Sequence, residues 1–317
     1  MELDKRDKKL LSYFYHNYRS PLTKIAKQCS LSREQVEYRL HRYEKERVIK
    51  KYITIFNYPS FGFKEFIVVW FKLRDFDKDV LKKELLKMEI VTSVGDTVPN
   101  NGIFANFVVK DKTDFEKMFY LFLHKHKESI KSYNIFMCTN LIFYPLKILG
   151  NPKEEIIYEV LNPASEMNVD KKDVSILKEL QNNGRIKIID IAKKTNLSSE
   201  LIIYKLKQLF TKKIILGTRI QFDMDKLGFH LATLKVNFRN LSDEMKKRIM
   251  LFCKNNDFIN ALSFGISDYN CLIQIFYSNE KDLRDTLNKL NQTFNEEIID
   301  SSLILIGNES EAKTLSL

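Results

Sequence analysis

Two stretches of the chain share one apolar pattern but differ in charge: SLSREQVEYRLHRYEKERVIKKY (residues 30–52) and NLSSELIIYKLKQLFTKKIILGT (residues 196–218). In the first, Val36, Leu40 and Tyr43 recur at the spacing of one helix face. Ser32 and Gln35, just before them, match the S-x-x-Q signature of a helix start. The β-branched and aromatic residues that follow are typical of a strand. Each stretch therefore predicts a helix followed by a strand.

The similarity extends beyond these two stretches. An overlay at an offset of 166 residues gives 18 identities over the 61 residues from Leu3 to Phe63. Each copy predicts three helices and a strand, which is a winged helix-turn-helix, and then strands and helices in the order βαββαβ, which is ferredoxin-like. The sequence therefore predicts an α+β protein in which two winged helix-turn-helix domains alternate with two ferredoxin-like βαββαβ domains, as the product of a tandem duplication.

The repeat also predicts where the domains begin and end. Two prolines and several charges mark a surface connection between the halves. The predicted winged helix-turn-helix domains are residues 1–60 and 169–227, the βαββαβ domains are residues 61–150 and 228–317, and the linker is residues 151–168.

The positive charge of the chain is concentrated in two blocks. The net charge is +11, of which residues 1–60 carry +7 and residues 167–226 carry +6, so the remainder sums to −2. This distribution favours a polyanionic partner, double-stranded DNA, for both blocks. The four cysteines and five histidines lack the spacing of a metal or disulfide framework, so no metal site is expected. Without a long apolar run or a signal peptide, we expect a cytoplasmic protein with no membrane partner.

The quoted stretches, together with LDKRDKKLL, VDKKDVSIL, FGF, LGF and GISDYN, resemble the leucine-responsive regulatory protein (Lrp/AsnC, or feast/famine) family of bacterial and archaeal transcription regulators. The resemblance implies a DNA-binding helix-turn-helix and a βαββαβ domain that self-associates and often binds an amino acid or another small effector. Family members usually carry one such unit. A tandem chain therefore forms either a pseudo-dimer from its own halves or a homodimer. The high lysine and isoleucine content points to an archaeal source.

The outward face of the first quoted helix is predicted to contact DNA. Arginine can bind guanine edges or phosphates, and glutamine can pair with adenine. The predicted contacts are Arg33, Gln35, Tyr38, Arg39 and Arg42 in the first helix, and Lys205, Lys207 and Gln208 in the second. Because Leu201 and Ile203 replace polar residues in the second helix, we expect the first module to read DNA and the second to bind DNA more weakly or to contact a protein, such as the transcription machinery.

The turn GISDYN is a tentative effector site. In the resembled family, effectors bind at a glycine-rich turn followed by Asp, and the corresponding residues here are Gly265, Ser267, Asp268 and Tyr269. No catalytic residue or cofactor is expected, so the sequence predicts a protein that is not an enzyme. Two alternatives stay open. One is a nonspecific, architectural DNA-binding protein. The other is an enzyme similar to the sirohaem decarboxylases, which share this architecture and should need histidine and arginine for the carboxylates of a tetrapyrrole.

Overall fold

A computed structural model describes residues 3–74, 77–98, 102–150, 156–161 and 169–310. The first half contains α1 (Lys5–Asn17), α2 (Leu22–Cys29), α3 (Arg33–Lys45), β1 (Ile49–Phe56), β2 (Glu65–Leu73), α4 (Lys78–Lys87), β3 (Val91–Val98), β4 (Gly102–Val109), α5 (Lys112–Lys125) and β5 (Ile130–Phe143). A short strand, β6 (Tyr158–Glu159), follows. The second half contains α6 (Lys171–Asn182), α7 (Ile188–Thr195), α8 (Ser199–Thr211), β7 (Ile215–Phe222), β8 (His230–Phe238), α9 (Asp243–Lys254), β9 (Ile259–Ile266), β10 (Cys271–Tyr277), α10 (Glu280–Phe294) and β11 (Ile298–Gly307). The α+β fold, with its winged helix-turn-helix and ferredoxin-like units, is as predicted.

The helix starts explain why both halves fold alike locally. Asp4 and Asp170 each cap their helix in a reciprocal capping box. Ser32 and Gln35 form the predicted box at α3, whereas Ser198 caps α8 alone because Leu201 offers no polar side chain. The caps thus preserve one backbone arrangement in two different sequences.

Strands β1 and β7 pair with each other in an antiparallel two-stranded ribbon that joins the halves. The core of the first three-helix bundle includes Ile220 and Phe222 of β7, and the core of the second includes Phe56 of β1. Each bundle therefore completes its core with a strand from the other half of the chain.

The other long strands form a closed sheet in the order β2-β4-β3-β11-β8-β10-β9-β5, and β5 pairs back onto β2. The pairings β5–β9 and β3–β11 connect the two βαββαβ units within one chain. Cores under the helices cover the outside of this sheet, while Phe66, Trp70, Phe104 and Phe136 face its interior. The paired units therefore enclose an apolar interior.

The predicted surface linker needs a correction. Residues 151–155 and 162–168 lie outside the described residues, but Tyr158 and Val160 are buried. Tyr158 packs against the ribbon at Gly217, where a β-carbon would overlap the tyrosine ring. The alternation of large apolar and polar side chains makes this segment a short strand rather than an exposed connection.

Several remaining features concern cysteines, metals and membranes. The four cysteines are free and buried. Within the described ranges, no cluster of His, Cys, Asp or Glu has the arrangement of a metal site. None of the helices in the described part of the chain combines the length and the apolar character that crossing a membrane requires.

Candidate functional site

The arginines of α3 bind two carboxylates at the start of α1. Arg39 donates to Asp4 at 3.0 Å and also to Asp7, and Arg42 donates to Asp7 at 3.0 Å. Tyr43 donates its hydroxyl hydrogen to Asp7, which is 2% exposed. A buried carboxylate needs several donors to offset its lost hydration. Asp7 therefore holds both arginines inside the module.

This cluster corrects the predicted outward face of α3. The side chains of Arg39 and Arg42 are only 16% and 31% exposed, because both turn toward Asp7. Their direct contact with DNA stays a prediction, and any such contact has to compete with the Asp7 carboxylate.

The second module repeats the arrangement with a lysine. Lys205 occupies the position that corresponds to Arg39, and its ammonium donates to Asp170 at 2.7 Å and to Asp173 at 2.9 Å. The hydrogen bond from Lys205 lowers the pKa of Asp170 to about 2. The side chain of Lys205 is only 9% exposed, so the predicted phosphate-binding lysine is an internal partner. Two acids and one cation recurring at the same offset were the sequence signal for this role.

Three of the predicted contacts on α3 are exposed: Arg33, Gln35 and Tyr38. Tyr38 is 69% exposed. Gln35 uses its side-chain oxygen to accept from the backbone of Ser32 at 3.0 Å, which leaves the amide hydrogens available. On α8, Lys207 is exposed, whereas Gln208 is half-buried and donates to Tyr204 at 2.6 Å.

The two modules differ in the charge that they expose. Over residues 21–47, five exposed basic residues face four exposed acidic ones, whereas residues 187–213 expose six lysines and one glutamate. The basic residues are Lys24, Lys27, Arg33, Lys45 and Arg47 in the first module and Lys187, Lys193, Lys194, Lys207, Lys212 and Lys213 in the second; the acids are Glu34, Glu37, Glu44, Glu46 and Glu200. The second module thus offers the more positive surface, contrary to what the sequences of the two helices suggest.

The second module also exposes apolar side chains on α8. Ile203, Tyr204 and Phe210 are 57%, 58% and 41% exposed. Ile203 and Phe210 lie seven residues apart, on the same side of the helix. The predicted apolar character of this helix is therefore present at its surface.

The turn after β9 is fastened to the first half of the chain. Asp268 accepts from Asn134 at 2.8 Å, and Ser267 lies 3.3 Å from the same side chain. Tyr269 donates to Asp300 at 3.2 Å. A β-carbon at Gly265 would lie 2.5 Å from the carbonyl oxygen of Met137, so the glycine is explained by close strand packing. The tentative effector residues already have partners within the chain, and ligand binding there stays a prediction.

A cavity of about 260 Å³ lies between the β1–β7 ribbon and the interior of the closed sheet. Apolar groups such as Phe66, Trp70 and Phe104 line its sheet side, and Lys50 and Arg219 line its ribbon side. Among the described residues, its lining includes no histidine. Sequence reasoning missed this cavity because its two sides come from distant parts of the chain.

A buried lysine lies inside the closed sheet near this cavity. The ammonium of Lys235 is 4.0 Å from the centre of the Trp70 ring, and burial lowers the pKa of Lys235 to about 8. The ring face offers partial electrostatic compensation for the lost hydration. Trp70 thus has a charged neighbour on one side and contributes to the cavity wall.

Comparisons with known proteins agree with the helix-turn-helix assignment. Residues 169–209 match a family described as winged helix-turn-helix DNA-binding. The HTH-type transcriptional regulator LrpA of Pyrococcus horikoshii is 29% identical over 120 residues, which are 38% of this chain and 83% of that protein. An uncharacterized HTH-type transcriptional regulator of Pyrococcus abyssi is 26% identical over 126 residues, covering 39% of this chain and 81% of that protein. These similarities confirm the resemblance to Lrp-type regulators.

A likeness over nearly the whole chain is to the structure of an enzyme. The crystal structure of the siroheme decarboxylase NirDL superposes with a TM-score of 0.64, covering 98% of this chain and 94% of that one at 9% sequence identity. At this identity the likeness is one of fold. It nevertheless overturns the expectation that the chain is not an enzyme, because in that protein the same whole-chain fold belongs to a decarboxylase.

Proposed function

We propose that this relative of the Lrp-type regulators is a transcription regulator that binds double-stranded DNA with a division of labour between its modules. The first module reads bases, and the second supplies most of the phosphate contacts. The observation that supports this proposal is the exposed charge: six lysines against one glutamate in the second module, but five basic residues against four acids in the first.

Base reading by α3 is assigned to Arg33, Gln35 and Tyr38. They are the exposed members of the predicted contact set on that helix. Arginine and glutamine can each make paired hydrogen bonds to a base edge, and the tyrosine ring and hydroxyl offer apolar contact and a hydrogen bond. Arg39 and Arg42 fix the position of α3 against α1 through their ion pairs with Asp7.

Phosphate contact is assigned mainly to Lys207, Lys212 and Lys213, at and just after the end of α8. All three are exposed. Such contacts release counterions and depend steeply on salt, but they carry little sequence information. The apolar Ile203 on the same helix is compatible with this role, because phosphate contacts do not require polar side chains that face the bases.

The test is a selection of bound genomic fragments with the purified protein and with the double variant Arg33→Ala, Tyr38→Ala. The wild-type protein should enrich a defined motif at moderate salt, and the double variant should lose the motif while it keeps salt-sensitive binding. The matched control is Lys24→Ala with Lys27→Ala, which changes charge on the neighbouring helix. Uniform binding by the wild-type protein would replace this proposal with the architectural alternative.

A second candidate function is an enzyme that acts on a siroheme-like tetrapyrrole. It is favoured by the likeness over 98% of the chain to siroheme decarboxylase. Lys50 and Arg219 of the cavity offer cations, but the cavity of about 260 Å³ would have to enlarge to admit a tetrapyrrole. Cations are suited to the carboxylates of such a substrate. The described cavity lining includes no histidine, which is one of the two residue types expected to bind the carboxylates of a tetrapyrrole.

The enzymatic candidate is tested by adding siroheme to the purified protein and following the visible spectrum and carbon dioxide release. Saturable binding with release of carbon dioxide, lost in Arg219→Gln, would establish the enzyme. Binding with no turnover would leave the chain a tetrapyrrole-binding protein, and no spectral change would remove this candidate. Because no DNA is present, the result is independent of the regulator proposal.

A further inference from the structure

The ribbon side of the interior cavity carries a cation, Arg219, that stacks on an aromatic ring. Arg219 of β7 lies with its guanidinium 4.4 Å from the centre of the Phe143 ring. Within the described ranges, no carboxylate forms an ion pair with it. Stacking on an aromatic ring leaves the in-plane N–H donors of a guanidinium free to bind an anion. The cavity therefore contains guanidinium N–H donors that are available to an anion.

Lys50 of β1 adds a second positive charge to the cavity. Its ammonium is 3.8 Å from Asp223, a distance at which the ion pair is loose. The apolar groups on the opposite wall include Phe66, Trp70 and Phe104. The cavity thus has a cationic side and an aromatic side.

The segment after β11 lies over this cavity and is held at both sides. The backbone of Ser310 donates to Val94 of β3 at 2.8 Å, and Gln221 of β7 donates to the carbonyl oxygen of Ser310 at 2.9 Å. A β-carbon at Gly95 would lie 3.3 Å from the Cα of Glu309, so the glycine leaves space for the segment. Residues 307–309 line the cavity as a result.

Glu309 lines the same cavity as the two cations. Burial raises the pKa of Glu309, while the charges of Arg219 and Lys50 act in the opposite direction. A carboxyl group in this place resembles the anionic group of a ligand, and it is supplied by the chain itself.

We propose that the cavity binds a small organic carboxylate with an apolar body, whose carboxylate binds Arg219 and Lys50 in competition with Glu309. The apolar body would contact the aromatic wall. The volume of about 260 Å³ falls slightly below the range of roughly 300–1,000 Å³ that is usual for drug-sized ligands, so the ligand is small. Glu309 then acts as an internal competitor that sets the affinity.

This site differs from the tentative effector turn, which lies at Gly265–Tyr269. Ligand binding here would bring the ribbon and the closed sheet together, because each contributes one side of the cavity. The proposal concerns the cavity alone and does not depend on the regulator proposal.

The chain contains a single tryptophan, Trp70, and it lines the cavity, so its fluorescence reports occupancy without a label. The probes are 3-phenylpropionate and its uncharged amide, 3-phenylpropanamide, titrated into the full chain without DNA or tetrapyrrole. Calorimetry on the same samples provides an independent affinity. The acid should bind saturably and at least tenfold more tightly than the amide.

Three variants identify the groups involved. Arg219→Gln should remove the preference for the acid over the amide, and Arg219→Lys, which restores the charge, should recover part of it. Glu309→Gln should tighten binding of the acid several-fold and leave binding of the amide unchanged. Equal affinity of the wild-type protein for acid and amide would overturn the proposal. So would a failure of the Glu309→Gln protein to bind the acid saturably.

Discussion

The two helix-turn-helix modules solve one structural problem with different side chains. In the first, Asp7 accepts hydrogen bonds from Arg39, Arg42 and Tyr43. In the second, Asp170 and Asp173 both accept from Lys205. The cation at the shared position serves the contact between the first and third helices in both. A basic residue on a recognition helix is therefore not evidence of DNA contact until its internal partners are known.

The largest expected effect comes from separating the halves. A fragment of residues 1–161 lacks Ile220 and Phe222, which complete the first bundle, and lacks the partner strand of β1. We expect the first bundle of the monomeric fragment to show no cooperative unfolding transition, although the βαββαβ unit keeps its own core, and an equimolar mixture with residues 162–317 to restore the transition of the bundle. Calorimetry and analytical ultracentrifugation would check this. A monomeric fragment whose first bundle still unfolds cooperatively would contradict the exchange of strands between the halves.

The next effect compares the two acid clusters. Asp7→Ala leaves the Arg42 guanidinium and the Tyr43 hydroxyl without their acceptor and leaves Arg39 with Asp4 alone, and it should cost about 3–5 kcal/mol of unfolding free energy. Asp173→Ala should cost less, about 1–2 kcal/mol, because Lys205 keeps Asp170 as a partner. Urea denaturation with unchanged m-values measures both. Equal losses would mean that the extra donors of the first module add no stability.

A pH titration distinguishes the first helices of the two bundles. Burial lowers the pKa of His16 from 6.5 to about 4, and its ring lies 3.0 Å from the carbonyl oxygen of Thr218 in the ribbon. Because the unfolded chain binds the proton more readily, stability is complete above pH 6.5 and falls as the pH decreases, by about 3 kcal/mol at pH 4. The corresponding residue in the second half is the exposed Asn182, which does not titrate.

The control for this titration is His16→Gln. Its unfolding free energy should be lower than that of the wild-type protein near neutral pH but nearly constant between pH 6.5 and 4. An equally steep decline in the variant would assign the acid sensitivity to other groups.

The smallest expected effect concerns DNA affinity. Changing Lys207, Lys212 and Lys213 to glutamine should reduce the magnitude of the negative slope of log K against log salt by about 2–3, since each phosphate contact contributes about 0.9. The matched change of Lys24, Lys27 and Lys45 should lower it by about 1 or less, because glutamates already offset these charges. Fluorescence anisotropy on one duplex gives both slopes. A reversed order would assign phosphate binding to the first module.

The local structure of each half was accessible from the sequence, because caps, apolar spacing and turns act over short distances. Ser32 with Gln35 predicted the start of α3, and it begins there. The exchange of β1 and β7 was not predictable, since both strands suit a wing within their own module. Arg39 was predicted on the outward face but turns toward Asp7, because a helical wheel gives the direction of the Cα–Cβ bond and not the reach of a long side chain. The cavity depends on residues about 150 positions apart, such as Trp70 and Arg219.

The β1–β7 ribbon has a geometric consequence for the proposed DNA complex. Because each bundle includes a strand from the other half, the two recognition helices cannot swing apart as independent heads. The protein would hold the two helices at one fixed separation. The phosphates that the second module contacts would therefore lie at a fixed distance from the bases that the first module reads, and the DNA would have to extend past the motif by that distance.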